Sequence, residues 1–66
     1  MRVMINGEAQ TLRDGVTIAH LITELGLNQR RIAVELNREI IARDAYAARA
    51  LAPDDEVEIV HFVGGG

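Results

Sequence analysis

The sequence finishes on three residues without side chains, Gly64, Gly65 and Gly66, directly after an apolar segment with the alternation of a β-strand. Residues without a Cβ make a slim chain end, and three of them reach roughly 10 Å when extended. Such an end can carry a terminal carboxylate into the active site of another protein while the domain stays outside. The alternative is that these glycines are frayed or were added in cloning, because terminal residues are commonly disordered.

The rest of the chain offers little chemistry of its own. Cysteine is absent, so the chain has neither a thiolate nucleophile nor a disulfide. Two histidines, His20 and His61, without cysteine partners argue against a structural zinc site. All seven basic residues are arginine, so no side-chain amine is present to attack an activated carboxyl group. We assign no catalytic residue and no metal ligand, and expect a protein that enzymes act on rather than an enzyme.

Length and composition exclude several classes of protein. A chain of 66 residues makes one domain with a small core. Its net charge of −3 argues against a nucleic-acid partner, and its two aromatic residues, Tyr46 and Phe62, are too few for base stacking. No apolar run approaches the roughly 20 residues of a membrane span, and the N-terminus lacks a secretory cleavage pattern. We expect an acidic cytoplasmic protein that is a monomer when alone.

Period-two alternation predicts the strands of a sheet. The segments with this pattern are residues 1–6, 9–12, 32–36, 40–41 and 56–63. Between the first two, Asn6-Gly7 is a strong signal for a hairpin with a two-residue type I′ turn, because both central residues of that turn have positive φ.

One short helix is predicted between the second and third strands. Thr17 suits its N-cap, Gly26 suits a left-handed C′ position, and Leu27 is then expected to fold back in a Schellman closure. Its apolar residues form a single stripe, which covers one face of one sheet. They are Ile18, Leu21, Ile22 and Leu25. Farther along the chain, Asp44 is expected to cap a single helical turn and Leu51 to fill a gap in the core.

One helix packed on one mixed sheet of four to five strands is an α+β, two-layer domain. The order and lengths of these elements match the ubiquitin-like β-grasp arrangement. We place the β-grasp domain at residues 1–63 and expect residues 64–66 to form a flexible C-terminal glycine tail.

Three segments of the sequence are distinctive: AVELNREIIAR at residues 33–43, DDEV at 54–57 and VHFVGGG at 60–66. Together they resemble the ThiS family, the sulfur carrier proteins of thiamine (thiazole) biosynthesis, which have a β-grasp fold. The resemblance covers essentially the whole chain. The AVELN segment combined with a terminal glycine pair is the most specific part of it.

The departures from the family pattern are mild. They are Arg38 and Ala42, where the family often has glycine and proline, and Tyr46, where it often has tryptophan. Arg38 should destabilise its hairpin, since a bulky residue at positive φ has a higher conformational energy than glycine. None of these positions is at the chain end, so they bear on the fit to particular partners rather than on the function.

The resemblance implies a chemistry for the chain end. In such carriers the terminal carboxylate, here that of Gly66, is adenylated with ATP and then converted to a thiocarboxylate, which makes the residue a 1-thioglycine. The implied partners are an E1-like, ThiF-type adenylating enzyme, a sulfur donor protein and a ThiG-type thiazole synthase. ATP and Mg are used by the adenylating enzyme, and the carrier itself binds no cofactor. Gly64 and Gly65 thread into the partner active sites together with Gly66.

Alternation in the last strand places Val57 and Ile59 on one face of the sheet. With that face on the helix, the open face presents a candidate partner-docking surface near the tail. Its members are Met4, Glu58, Val60 and Phe62. The alternative is a bulge near His61 that resets the register and buries Phe62. Asp54, Asp55, Glu56 and Glu58 form an acidic group that leads to the tail. Taken alone, each is most simply solvated surface; the alternative is that the group steers the tail toward a basic groove on an activating enzyme.

Other functions remain open at this point. The small subunit of molybdopterin synthase is also a β-grasp sulfur carrier with a terminal glycine pair, but it is usually longer. A non-covalent ubiquitin-like binding module would work equally well without the terminal glycines. A modifier that is joined to protein lysines is a further possibility.

Overall fold

The computed structural model describes residues 1–62. Val63 and the three glycines lie outside the described residues, and so does the predicted boundary between domain and tail. The strands are β1 (Arg2–Ile5), β2 (Glu8–Thr11), β3 (Ile32–Leu36), β4 (Glu39–Ile41) and β5 (Glu56–His61). They form one mixed sheet in the order β2-β1-β5-β3-β4. Within this part of the chain, one α-helix, α1 (Ile18–Glu24), packs against the sheet.

Both β-hairpins have two-residue turns with left-handed backbone. Asn6 and Gly7 join β1 to β2 with φ of 49° and 82°, which confirms the predicted turn. Asn37 and Arg38 join β3 to β4 with φ of 51° and 70°. Asparagine tolerates this region because its short polar side chain bonds locally, whereas arginine does not.

The central strand of the sheet is β5. It pairs in parallel with β1 and antiparallel with β3. On the β3 side, Leu36 stands opposite Val57 and Ile32 stands opposite His61. The chain therefore leaves β5 at the end of the sheet where β3 begins.

Local capping signals set the bounds of α1. The Thr17 hydroxyl accepts a hydrogen bond from the His20 N–H at 3.1 Å, and His20 Nδ1 accepts one from the Thr17 N–H at 3.4 Å. This is a capping box with histidine in the place usually taken by glutamate or glutamine. At the other end Gly26 has φ of 73°, and the Leu27 N–H donates to the Ile22 carbonyl at 3.0 Å. The predicted N-cap and Schellman closure are both confirmed.

The core lies between α1 and the helix-facing side of the sheet. Its buried side chains are Val3, Ile5, Val16, Ile18, Leu21, Ile22, Ile32, Val34, Leu36, Ile41, Tyr46, Leu51, Val57 and Ile59. Leu51 fills the core as predicted. Leu25, predicted as part of the apolar stripe, is 41% exposed. The reason is that α1 ends at Glu24 and Leu25 is its C-cap residue.

Two 3₁₀ turns connect the remaining elements. The first, Gln29–Arg31, precedes β3 and was not predicted; the Asn28 side chain caps it by accepting from the Arg30 N–H at 2.9 Å. The second, Arg43–Ala45, follows β4, and its N-cap is Ala42, which makes no side-chain cap bond. The prediction that Asp44 caps this turn is wrong, because Asp44 lies inside it.

Candidate functional site at the end of the central strand

The end of β5 is held in register as far as the structure describes it. His61 stands opposite Ile32, and the Phe62 N–H donates to the Arg31 carbonyl at 2.9 Å. Pairing with β3 runs without interruption, and Phe62 is 56% exposed. The alternative of a bulge that buries Phe62 is therefore wrong. Any segment that follows Phe62 starts from a fixed point at one end of the sheet.

Asn6 supports the same strand from the other side. Strand β1 stops at Ile5, and beyond it the Asn6 side-chain carbonyl accepts a hydrogen bond from the Ile59 N–H at 2.7 Å. Asn6 therefore forms the hairpin turn and also extends the support of β5 past the end of β1. Sequence reasoning identified only the turn, because the second role joins residues 53 positions apart in the chain.

The structure brings together two of the four residues predicted to form the docking surface. Val60 and Phe62 are 54% and 56% exposed and lie on the open face of β5. Met4 is half-buried and stands opposite Glu56, about 13 Å along the strand from Val60 at the usual rise per residue. Glu58 lies between them. The apolar pair Val60 and Phe62 is thus next to the strand end, while Met4 is set apart; a docking role for these residues stays a prediction.

An acidic row crosses the open face beside this apolar pair. Glu58 stands opposite Glu35, and Glu35 stands opposite Ile40, which is 78% exposed. The sequence placed Glu58 on this face, but Glu35 and Ile40 were missed. These residues are adjacent because of the register between neighbouring strands, which the sequence of a single strand does not specify.

The acidic residues before β5 are not close to the strand end. Asp54 and Asp55 precede Glu56, and β5 then extends about 17 Å to His61. The carboxylate of Asp55 is also engaged, since it accepts bonds from the Asn37 side-chain amide at 3.0 Å and the Ala52 N–H at 2.7 Å. Asp54, Asp55 and Glu56 are therefore not next to the strand end, as their place in the sequence suggested, because an extended strand separates residues that are near in sequence. Steering by the acidic group stays a prediction.

Arginines occupy the end of the sheet where β5 finishes. Arg30 and Arg31 lie in the turn before β3, and Arg43 lies in the turn after β4. The Arg43 Nε–H donates to the Gln29 carbonyl at 3.1 Å, which joins the two turns. All three arginine side chains are exposed. In the described residues, ion pairs join Arg13 to Glu24 and the Met1 ammonium to Asp14, and none involves these three arginines.

Catalytic machinery is not apparent in the part of the chain that the structure describes. No group of three or more histidine or carboxylate side chains converges there in a way that suits a metal ion. His20 is exposed and serves the helix cap, and His61 is exposed at the strand end. Across residues 1–62, no helix has the length and apolar character needed to span a bilayer. What this arrangement can do is present the chain end from a rigid support.

One helix on a five-stranded mixed sheet, with the chain end delivered by the central strand, defines a ubiquitin-like β-grasp domain. The sequence model of the ThiS family matches residues 3–66. The chain belongs to the ThiS family, as the AVELN segment and the glycine end indicated.

Relatives and solved structures agree with this family. The sulfur carrier protein ThiS of Bacillus subtilis (strain 168) is 38% identical over 65 residues, which cover 97% of this chain and 98% of that protein. A crystal structure of the thiamine biosynthesis protein ThiS from Geobacter metallireducens superposes with a TM-score of 0.85 at 32% identity, and the match covers 100% of both chains. The predicted β-grasp fold is confirmed.

A second group of relatives is longer. A protein named thiazole synthase from Magnetococcus marinus is 39% identical over 66 residues, which are 100% of this chain but 20% of that protein. A thiazole synthase from Paramagnetospirillum magneticum is 42% identical over the same proportions. The chain thus spans a fifth of the length of these two relatives, each of which contains a segment similar to all of it.

Proposed function

We propose that this chain is a sulfur carrier for the thiazole ring of thiamine and that it is a cosubstrate of enzymes rather than an enzyme. The observation that carries the proposal is membership of the ThiS family over residues 3–66. It is supported by the Bacillus subtilis protein named as a sulfur carrier, to which the chain aligns over nearly the full length of both.

The reactive group in this proposal is the carboxylate of Gly66. One of its oxygens attacks the α-phosphorus of ATP in a partner enzyme, and pyrophosphate leaves. A sulfide equivalent from a sulfur donor protein then attacks the acyl-adenylate, so that a carbon–sulfur bond forms, the carbon–oxygen bond to AMP breaks and AMP leaves. The carboxyl carbon is neither oxidised nor reduced. The net change in the chain is one oxygen replaced by sulfur.

The geometry at the end of β5 suits this role. The Phe62 N–H donates to the Arg31 carbonyl and the Ile59 N–H donates to the Asn6 side chain, so the strand is held on both sides and the chain reaches Phe62 in one fixed place. Residues 63–66 span at most about 14 Å when fully extended. That reach lets the Gly66 carboxylate enter a partner's cleft while the folded domain stays at its mouth, and glycines fit a narrow cleft because they lack a Cβ.

The proposed partners follow from the same chemistry. Adenylation needs an E1-like, ThiF-type enzyme that uses ATP and Mg, and sulfur transfer needs a donor protein. A ThiG-type thiazole synthase is proposed as the acceptor, and it is supported by the two longer relatives of that name, which contain a segment similar to this chain. The exposed pair Val60 and Phe62 is proposed to contact these enzymes, with Met4 and Glu58 farther out on the same face.

The test is the intact mass of the protein purified from its native cells, before and after incubation with cell extract, ATP and a sulfur source. We expect a species heavier by the exchange of one oxygen for sulfur, located at Gly66 by fragmentation. The same mass shows whether the natural chain ends at Gly66. A matched chain that lacks Gly65 and Gly66 should gain nothing. An intact chain that never changes mass with active enzymes present would refute the carrier function and favour a non-covalent binding module.

A further inference from the structure

We propose that Arg30, Arg31 and Arg43 form a basic collar around the strand end and that this collar docks on a carboxylate-rich rim at the mouth of the adenylating enzyme's cleft. The inference rests on the proposed function, since it concerns the partner that accepts the chain end. It assigns a role to arginines that neither the predicted docking surface nor the proposed sulfur chemistry uses.

Topology brings the collar together from distant parts of the chain. Arg31 is paired with the strand end directly, because its carbonyl accepts the Phe62 N–H. Arg30 is the preceding residue of the same 3₁₀ turn. Arg43 reaches this turn from the far side of β4 through its bond to the Gln29 carbonyl. All three therefore lie at the end of the sheet from which residues 63–66 continue.

Within residues 1–62 these guanidinium groups have one side-chain hydrogen bond, from Arg43 to the Gln29 carbonyl, and no carboxylate partner. They form no ion pair there, although the chain has more acidic than basic residues. Asp44 is the acidic residue nearest to them in sequence, beside Arg43. Exposed charges contribute little to folding stability, so stability does not account for the cluster. Arginine binds carboxylates in a bidentate manner, and an acidic protein surface is the partner that this geometry suits.

The length of the tail indicates whether the collar contacts the rim of the cleft or the nucleotide bound inside it. The Gly66 carboxylate, where the nucleotide reacts, is separated from Phe62 by as much as about 14 Å of extended chain. When the tail is fully extended in a narrow cleft, that distance exceeds the length of an arginine side chain whose backbone is level with Phe62. The collar would therefore contact the surface around the cleft and not the phosphates of the ATP inside it.

The opposite charges lie at the other end of the sheet. Asp54, Asp55 and Glu56 stand about 17 Å from the strand end. Arg2 and Arg38 also lie at that other end, and Asp44 lies beside Arg43 at the tail end, so each end has an excess of one charge rather than a single sign. The molecule therefore has a net positive end, from which the tail leaves, and a net negative end. Such a charge distribution orients a protein as it approaches a charged partner, and it acts mainly on the association rate at low ionic strength. An acidic rim would attract the positive end, so that the chain approaches the enzyme with its tail foremost.

The experiment compares Arg31→Glu with Arg2→Glu. Both variants change the net charge from −3 to −5, since each replaces +1 by −1. Both positions are exposed, but Arg2 lies at the negative end, where its carbonyl accepts the Asp54 N–H. The Arg31 bond to Phe62 uses the backbone, so Arg31→Glu should fold; matching far-UV circular dichroism and unfolding midpoints check this. The measurements are the association rate with the purified adenylating enzyme, by stopped flow, and ATP–pyrophosphate exchange.

We expect Arg31→Glu to lower the association rate about tenfold at low salt, with the difference shrinking near 1 M salt, where the Debye length is about 3 Å. Arg2→Glu should keep the wild-type rate within about twofold. Exchange at saturating carrier should be the same for all three proteins. Equal rates for the two variants, or a loss that persists at high salt, would overturn the collar while leaving the carrier function intact. Failure of the wild-type chain to support exchange would instead overturn the carrier function, and the collar with it.

Discussion

Replacing Arg38 with glycine should stabilise the domain, although the change removes an entire side chain. Arg38 is exposed and has φ of 70° in the turn between β3 and β4. No hydrogen bond or ion pair from its side chain to the rest of residues 1–62 is present. The side chain therefore contributes little to the folded state, while its Cβ opposes the left-handed backbone.

The magnitude follows from two opposing terms. A non-glycine residue in the left-handed region is destabilised by about 1–2 kcal/mol. Glycine loses more backbone freedom on folding, which offsets about 0.5–1 kcal/mol of the gain. The net expectation for Arg38→Gly is an increase of about 0.5–1 kcal/mol in the free energy of unfolding.

Asn37→Gly is the matched control, because Asn37 is the adjacent turn residue and also has positive φ. Its side chain, however, joins two parts of the fold. The side-chain carbonyl accepts from the Glu56 N–H at 3.0 Å, and the amide donates to the Asp55 carboxylate at 3.0 Å. Two such bonds together contribute about 1–3 kcal/mol, and glycine at positive φ offsets about 0.5–1 kcal/mol of that loss, so the domain should be destabilised by about 1 kcal/mol. The two glycine variants are thus expected to differ in sign.

Urea unfolding followed by circular dichroism measures both variants. With a slope of about 1 kcal/mol per molar urea, Arg38→Gly should move the midpoint up by about 0.5–1 M and Asn37→Gly down by about 1 M. In thermal unfolding, a change of 1 kcal/mol corresponds to about 4–8 °C for a domain of this size. If Arg38→Gly is neutral or destabilising, the backbone at Arg38 is not strained. If Asn37→Gly also raises the free energy of unfolding, the hydrogen bonds between the Asn37 side chain and the start of β5 make no net contribution to stability.

Three further predictions concern other parts of the chain. Thr17→Ala should lower the free energy of unfolding by about 1 kcal/mol through loss of the helix cap, whereas Thr23→Ala on the exposed face of α1 should not; thermal unfolding compares them. Phe62→Ala should change stability by less than about 0.5 kcal/mol because the ring is 56% exposed, yet it should weaken binding of the adenylating enzyme in calorimetry. Ile40→Ala, at a side chain that is 78% exposed, serves as the control and should leave binding unchanged. Deletion of residues 65–66 should abolish thiocarboxylate formation, seen by mass spectrometry, with an unchanged urea midpoint; unfolding of that chain would contradict a purely functional tail.

Local signals in the sequence were enough for most of the fold. The turn at Asn6-Gly7 and the ends of α1 each depend on a few adjacent residues, whose backbone preferences are strong. Alternation in β5 correctly placed Val60 and Phe62 on the open face, since a one-residue change of register would have exposed Val57 and Ile59 instead. The His20 half of the capping box was missed because histidine is not the residue that this motif usually contains.

The parts of the site that could not be predicted depend on pairing between distant strands. The proximity of Arg31 to Phe62 requires the antiparallel pairing of β3 with β5, which neither strand specifies alone. Arg43 joins them only because β4 returns to the same end of the sheet. Asp54 and Asp55 were misplaced for the converse reason. They are near the tail in sequence, but an extended strand moves the chain about 3.3 Å per residue, so that a few residues separate two ends of a small domain.

The two ends of the sheet have different tasks, and this separates stability from partner binding. At the start of β5, polar side chains are bonded to the backbone, as where Asn37 joins Glu56 and Asp55 joins Ala52. At its end, Arg31 and Phe62 hold the strand through backbone atoms only, and their side chains remain exposed. Substitutions at the first end should therefore change the free energy of unfolding with little effect on partner enzymes. Substitutions of the Arg31 and Phe62 side chains should do the reverse, which lets a chain of this size change its docking surface without losing its fold.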